Sequence, residues 1–310
     1  MPDSPHYRIG TRGSDLALWQ AHYVRDLIAA AGGSSEITVL STQGDREQVQ
    51  SFEKLEGKGF FTKEIEEALL EDRIDIAVHS HKDLETQQPQ GLSIVAVPAR
   101  ASQRDALLIR KELHNPGPWL PLPQGATVGT SSVRRRDQLL LLRPDLKIQA
   151  LRGNVPTRVR RLQEGLYDAI VLAEAGLDRL AIPMDGVIRH SLEPRSFVPA
   201  PAQGALALQM RDSDPKAAFL AALTDPSVQA GVRSERAVLR ALEGGCQLPF
   251  GAHWNDKGHT LRCFLQSSTG PRRIVAPHAE DALTQLSSTL PFQALITRSP
   301  RTNSVLSRLA

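Results

Sequence analysis

Cysteine is almost absent: the 310 residues contain only Cys246 and Cys263. Two cysteines in dissimilar settings do not make a disulfide framework, and no paired CxxC offers a structural zinc site. Aromatic residues make up 5% of the chain, which leaves few of the stacking platforms that single-stranded nucleic acids require. No stretch approaches the ~18 uninterrupted apolar residues that span a bilayer. The opening Met1-Pro2-Asp3-Ser4-Pro5-His6-Tyr7 also lacks the apolar run of a signal peptide. The expected compartment is the cytoplasm, where reduced thiols belong. What remains is ordinary for a folded protein, 41% hydrophobic and 23% charged, with length for two or three domains that each bury a core. A formal charge of +3 is too small to define a partner, so the placement of charge matters more than its sum.

Strand and helix signals alternate. Tyr7 to Thr11 reads as a strand, Ser14 as an N-cap and Asp15 to Ala31 as a helix stopped by Gly32-Gly33, with Ala17, Ala21, Val24 and Ile28 on one face. A strand from Glu36 to Thr42, a helix marked by Phe61, Ile65, Ala68 and Leu69, and a strand from Ile74 to His79 complete a βαβαβ unit. The pattern returns with strands at Thr127 to Thr130, Lys147 to Leu151 and Asp168 to Leu172. These alternate with helices at Val133 to Leu142, Val155 to Gln163 and Glu174 to Leu180. Such alternation predicts two parallel, doubly wound sheets with right-handed crossovers. Beyond Pro199-Ala200-Pro201 come a strand from Gly204 to Met210 and a long helix from Ser227 to Leu242. Strands near Leu261 to Gln266 and Arg273 to Ala276 and a helix near Asp281 to Leu290 then form a small α/β third domain.

In doubly wound sheets, ligands bind beyond the carboxyl ends of the strands, and polar residues collect there. Arg12-Gly13-Ser14 follows the first strand, His79 to Asp83 the third, and Thr130 to Ser132 and Arg152-Gly153-Asn154 lie in the second unit. Between Thr130 and Arg161 nine basic residues face only Asp137 and Asp145. Arginine presents paired planar donors that match carboxylate or phosphate, and a helix N-terminus at Thr130-Ser131-Ser132 adds backbone N–H groups. Arg136, Arg143, Arg160 and Arg161 read as a solvated face; Arg134, Arg135, Arg152 and Arg158, near strand ends, read as anion ligands. A small polycarboxylate or phosphorylated ligand suits a cluster that contains no aromatic residue better than nucleic acid does.

In His79-Ser80-His81-Lys82-Asp83 an acid and a base arrive together after an apolar strand, where a carboxylate can hold a cationic intermediate or move a proton. A surface turn with an ion pair explains the same residues. No third ligand at sensible spacing supports a metal at His79 and His81, and His79 reads as a hydrogen-bonded core histidine. Gly57-Lys58-Gly59 lacks the third glycine of a dinucleotide fingerprint, and Lys54 and Lys58 fit either a flap or a plain solvated loop. Cys263 alternates with Leu261 and Leu265 on a buried strand face. Cys246, in Glu243-Gly244-Gly245-Cys246-Gln247, lies between a helix end and a Pro249-containing turn, where a thiol is presented. By itself it reads first as a small residue in a tight turn, because reactivity requires an electropositive, partly exposed setting.

These segments together resemble the porphobilinogen deaminase (hydroxymethylbilane synthase) family, from about Tyr7 to Gly251. The resemblance is carried by Thr11-Arg12-Gly13-Ser14, Gly44-Asp45, Gly57-Lys58-Gly59-Phe60-Phe61, Asp75-Ile76-Ala77-Val78-His79-Ser80 with Lys82-Asp83, and Gly129-Thr130-Ser131-Ser132 with Arg134-Arg135. Leu151-Arg152-Gly153-Asn154 with Thr157-Arg158, Ala175-Gly176-Leu177, Gln203-Gly204-Ala205 and Glu243-Gly244-Gly245-Cys246-Gln247 extend it. Each motif is weak alone; their order and number are specific. Departures are Ala202 where glycine is common, His81 where an apolar residue is usual, and Gln43 where a basic residue is frequent.

The resemblance implies an α/β fold of two doubly wound domains with type II periplasmic-binding-protein topology plus a small α/β third domain. The expected division is residues 1–99 with 203–224, then 100–202, then 225–310. It implies a transferase of tetrapyrrole and haem biosynthesis that joins four porphobilinogen molecules head to tail, releasing ammonia, into hydroxymethylbilane. The primer is a dipyrromethane cofactor held by a thioether to Cys246. Asp83 matches the catalytic aspartate. Lys82, Thr130, Ser132, Arg134, Arg135 and Gln203 match cofactor-binding positions, and Arg12, Ser14, Arg152 and Arg158 match substrate-binding ones. No metal, nucleic acid or membrane is implied. The residue types suit such chemistry: loss of ammonia leaves an electron-poor azafulvene, pyrrole attack places positive charge on ring nitrogens, and a close carboxylate stabilises it. The end of the chain, from Phe292 to Ala310, resembles the opening strand and helix of uroporphyrinogen-III synthase, which implies a functional link or a fusion. Two other readings stay open, a non-catalytic binder of an anionic small molecule on the same topology and a nucleic-acid binder using the arginines.

Overall fold

The computed structural model describes residues 4–40, 62–117, 119–242 and 248–287. Its first sheet is built on β1 (His6–Thr11), β2 (Ser34–Val39), β3 (Ile76–Ser80) and β4 (Leu92–Ala96), joined by β10 (Leu206–Arg211) in the order β2-β1-β3-β10-β4. Helix α1 (Asp15–Ala30) begins where Ser14 Oγ accepts from the Ala17 N–H at 3.4 Å, the expected N-cap. It buries Ala21, Val24 and Ile28 against Tyr7, Ile9, Ile76 and Leu208. Helix α2 (Lys63–Leu70) covers the sheet with Ile65, Ala68 and Leu69.

The second sheet repeats this plan with β5 (Asp105–Arg110), β6 (Thr127–Gly129), β7 (Lys147–Gln149), β8 (Ala169–Ala173) and β9 (Val187–Leu192), in the order β7-β6-β8-β5-β9. Its helices are α3 (Val133–Leu142), α4 (Val155–Gln163) and α5 (Glu174–Leu180). In both sheets the second strand of the parallel unit lies outermost, and a strand from the other end of the chain's path is inserted before the last. This is the type II periplasmic-binding-protein arrangement.

The sheets are mixed, not parallel as the alternation predicts. β1 pairs in parallel with β2 and β3, and β6 with β7 and β8, but β10 runs antiparallel to β3 and β4, and β5 antiparallel to β8 and β9. The cause is the way the chain crosses. β4 and β9 both end at the edge where the two sheets face each other, and the short crossings 97–104 and 193–205 deliver β5 and β10 to that same edge, so each must run back.

The third sheet is an antiparallel meander, β11 (Phe250–Asn255), β12 (Thr260–Ser267) and β13 (Gly270–Ala276). α6 (Ala217–Ala221) still packs on the first sheet through Leu220, whereas α7 (Pro226–Ala241) and α8 (Ala279–Ser287) cover the third around Val238, Phe250, Leu261, Cys263 and Leu286. α7 starts with Asp225 accepting from the Ser227 and Val228 N–H groups and Pro226 in its first turn.

Glu235 on α7 joins all three sheets. Wholly buried, it accepts from Arg100 Nη1 and Nη2 at 3.0 and 2.8 Å, from Ala202 N at 2.7 Å and from Trp254 N at 2.8 Å. Arg100 and Ala202 lie one on each crossing segment, so a single carboxylate ties both connections and β11 together. A buried carboxylate is tolerable only when so fully satisfied. No helix among the described residues is long and apolar enough to cross a membrane.

Candidate active site

Parallel pairing brings the ends of β1 and β3 to one edge, and β10 begins beside the end of β3, with Leu206 opposite Ser80. Arg12, Ser14, the 3-10 turn His81–Asp83 and Gln203 therefore share that edge. The second sheet answers with Thr130 to Ser132 after β6, Arg152 after β7, and Asp105 at the start of β5 opposite Ala173 of β8. The cleft lies between these two edges.

Its best-defined feature is Asp105, which is wholly buried. Arg134 Nη1 donates to its Oδ2 at 2.9 Å, and Arg135 donates to Oδ1 from Nη2 at 2.7 Å and from Nε at 3.1 Å. Burial alone would raise the Asp105 carboxyl, but the two guanidiniums outweigh it and hold it well below the usual range. Arg134 also donates to the Val198 carbonyl at 2.7 Å and Arg135 to that of Val171 at 3.1 Å. Both arginines are thus anchored in the lobe, and one carboxylate for two guanidiniums leaves positive charge uncompensated.

Around this centre stand the groups that face the cleft. Lys82 is half-buried and Asp83 exposed. Burial lowers the Lys82 ammonium, Asp83 opposes that, and the nearby Arg135 reinforces it. Among the described residues Lys82 has no ion-pair partner. Arg158 is pushed down to about 10 by burial and by Arg135, with Asp83 opposing; its Nε donates to the Gly153 carbonyl at 2.6 Å. Ser132 Oγ caps α3 by accepting from Arg135 N at 3.4 Å, and Thr130 Oγ1 accepts from Ser132 N at 3.2 Å. Ser131 Oγ bridges to Leu151, donating to its carbonyl and accepting from its N–H, which fixes the loop of Arg152 to the start of α3.

The structure therefore brings Lys82, Asp83, Arg134, Arg135 and Arg158 together. Thr130 and Ser132 help to shape that wall, while Arg12, Ser14 and Arg152 lie on the cleft edges. Gln203 is wholly buried, with Nε2 donating to Asp105 Oδ1 at 3.0 Å and to the Gln103 carbonyl at 2.8 Å. His81 is buried, and burial together with the charges of Arg236, Arg100 and His79 holds its pKa well below the ordinary imidazole value. His79 is the core histidine expected, bonded to Gln209 Oε1 at 2.9 Å and pushed down to about 4 by burial. Cys263 is buried on β12, its thiol pushed up to about 12 by burial and then by Glu235, so it is inert. Cys246, Lys54, Lys58 and the segment from Phe292 lie outside the described residues.

One site residue, Asp105, and one residue between the lobes, Arg179, escaped the sequence reading. Asp105 opens an apolar strand directly after Arg104, an acid where the strand itself needs none; that was its only signal. Arg179, half-buried on α5, donates from Nη2 to the Gly204 carbonyl at 2.8 Å and stands 5.5 Å over the Trp19 ring of α1. Its Nε is buried without a hydrogen-bond partner, and burial lowers its pKa.

Fold and site define a two-lobed enzyme whose cationic cleft faces an exposed carboxylate. The chain belongs to the porphobilinogen deaminase family: its dipyromethane cofactor binding domain matches residues 7–218 and its C-terminal domain residues 230–276. The porphobilinogen deaminase of Acidithiobacillus ferrooxidans is 45% identical over 282 residues, 89% of each chain. That of Nitratidesulfovibrio vulgaris is 46% identical over 274 residues, covering 86% of this chain and 84% of that one. The Phenylobacterium zucineum protein is 42% identical over 294 residues, 91% and 90%. Among solved structures, an ancestral cationic amino acid solute binding protein aligns with a TM-score of 0.42 at 13% identity, over 70% of this chain and 87% of that one.

The residues present suit a dipyrromethane that bears carboxylates. The wall of Arg134 and Arg135 carries excess positive charge, Lys82 is a depressed cation without an ion-pair partner among the described residues, and Gln203 Oε1 is buried with no partner.

Proposed function

We propose that this enzyme joins four porphobilinogen molecules head to tail, with release of ammonia, into hydroxymethylbilane on a dipyrromethane attached through Cys246. The observation that carries the reading is the setting of Asp83, an exposed carboxylate on the turn after β3 close enough for its charge to act on Lys82 and Arg158. When bound, the dipyrromethane would supply the nucleophilic pyrrole that receives the first unit, later units being added to the terminal ring of the growing chain. Asp83 then stabilises positive charge on the reacting ring nitrogens and carries the proton that must leave. Arg134, Arg135, Lys82 and the hydroxyls of Thr130 and Ser132 bind carboxylates of the cofactor, with Gln203 acting through Asp105. Arg12, Ser14, Arg152 and Arg158 take those of the incoming substrate, a pattern supported by their positions on the two cleft edges.

Three separate sheets and cores support a division into residues 1–99 with 203–224, 100–202 and 225–310. The reaction belongs to tetrapyrrole and haem biosynthesis, which we assign to the cytoplasm, and the functional link to uroporphyrinogen-III synthase is part of the same reading. The test is Asp83→Asn, which keeps the shape of the side chain and removes its charge. Turnover should fall by at least about 100-fold with the fold retained; near-normal turnover would mean that another group carries the chemistry.

A further inference from the structure

Asp83 sits on a turn that does not hold itself in place. The turn His81–Asp83 has no side-chain cap; the His81 N–H donates to the Ala205 carbonyl at 3.1 Å, and the carbonyls of His81, Leu84 and Glu85 need other partners. All three are taken by one side chain from the third domain. Arg236 Nη1 donates to the His81 carbonyl at 2.9 Å and to that of Leu84 at 3.2 Å, and Nη2 donates to the Glu85 carbonyl. Arg236 is only 9% exposed and His81 and Leu84 are buried, so those two carbonyls have little access to water, whereas the Glu85 carbonyl also accepts from Gln88 Nε2 at 3.0 Å. Losing the donor would leave buried acceptors unsatisfied.

Arg236 is also placed to relate the turn to the cysteine. It lies on α7, whose last residue, Ala241, is five positions further on, a rise of about 7.5 Å, and Cys246 follows in sequence five residues after that. The helix is locked at the neighbouring residue, since Glu235 binds both crossing segments and β11. α7 therefore has one side chain fixed on the hinge and the next fixed on the aspartate turn. A guanidinium suits this role better than an ammonium, because its planar fork reaches three divergent carbonyls at once.

We propose that Arg236 is a positioning residue, which sets the Asp83 carboxylate at a fixed place relative to the helix that leads to the cofactor cysteine. It touches neither substrate nor cofactor and acts through the backbone of residues 81–85. The inference rests on Asp83 being the catalytic carboxylate. His81 shares the arrangement: its ring is buried with Nδ1 unpartnered, and the Arg236 charge helps to keep it neutral. A misplacement of about 1 Å at a reacting group can cost on the order of 100-fold in rate.

The test compares Arg236→Met and Arg236→Lys, both in the cofactor-loaded full chain, by steady-state kinetics and by hydrogen exchange of peptides spanning residues 80–86. Arg236→Met should lower kcat by about tenfold or more with KM within about twofold, and the 80–86 amides should exchange faster while β3 and β6 stay protected. Arg236→Lys, which keeps a cation but not the planar fork, should recover only part of the lost kcat and of the protection, remaining several-fold below the parent. If Arg236→Met folds poorly, the lysine variant alone decides: a several-fold lower kcat with KM unchanged and faster exchange at 80–86 supports the role. A kcat within twofold of the parent in the folded variants, or a lysine variant no better than methionine, would overturn it. Asp83→Asn measured alongside separates the two ideas: normal turnover there removes the functional reading, whereas an inert Asp83→Asn with normal Arg236 variants removes only this one.

Discussion

Asp105 Oδ1 lies 2.7 Å from Nη2 of Arg135 in a pair where the side chains are 0% and 8% exposed. A pair this buried fixes the geometry of the cleft wall more than it stabilises the fold, because desolvation offsets much of the attraction. Removing one partner is another matter, since the remaining charge is stranded. Arg135→Leu should cost about 3 kcal/mol or more of stability and also impair cofactor assembly. Arg152→Leu, on an exposed loop, should impair elongation with the melting temperature little changed. Thermal unfolding and product-chain analysis of both variants check this. An Arg135→Leu protein that elongates normally once folded would reduce Arg135 to a purely structural role.

The hinge makes a second prediction. Gly204 has φ of +85°, and a Cβ there would meet the Ser102 and Ala101 carbonyl oxygens at 2.5 and 2.6 Å, backbone atoms of the other crossing segment. Gly204→Ala should destabilise by more than about 2 kcal/mol, from the clash together with the left-handed backbone. Ala202, at φ +60° and wholly buried, offers the contrast. Replacing it with glycine relieves about 1 kcal/mol of left-handed strain but removes a buried methyl worth about 0.8 kcal/mol. Ala202→Gly should therefore be close to neutral in denaturant melts.

Buried neutral histidines give the stability a pH dependence. His79 titrates near 4 in the folded chain against about 6.5 when unfolded, and His81 is lowered as well. Below about pH 6.5 the unfolded chain takes up protons that the folded chain refuses. Stability should thus be fully present above that pH and decline as pH falls toward 4, by about 3 kcal/mol from His79 alone. Asp75 and Asp105, both held well below the usual carboxylate range, add their losses only at lower pH. His81→Leu should make the decline shallower between pH 6.5 and 4, read from urea midpoints. An unchanged slope would exclude His81 as a contributor.

The parts of the fold that could be read from sequence were those with local signals. The run from β6 to α5 alternates strand and helix with N-caps at Ser132 and Asn154, and α1 and β3 were equally plain. β4, β5, β9 and β11 were not read, since none is announced by a helix crossover, and the antiparallel insertions of β5 and β10 follow from where the chain crosses between lobes. At the site, Arg134 and Arg135 were legible as cations near a strand end. Their shared partner was not, because Asp105 lies 29 and 30 residues away and Gln203 reaches it across 98. Arg236 was hidden for the same reason: on α7 it looks like one more helix-face charge, and only the tertiary fold sets it on the turn of Asp83.

The central claim is tested most directly by intact-protein mass spectrometry with peptide mapping of the parent chain, Cys246→Ala and Cys263→Ala. The account predicts an added mass of two linked pyrrole units on the Cys246 peptide of the parent and of Cys263→Ala, and neither adduct nor activity in Cys246→Ala. An unmodified, fully active Cys246→Ala protein, or the adduct on Cys263, would contradict it.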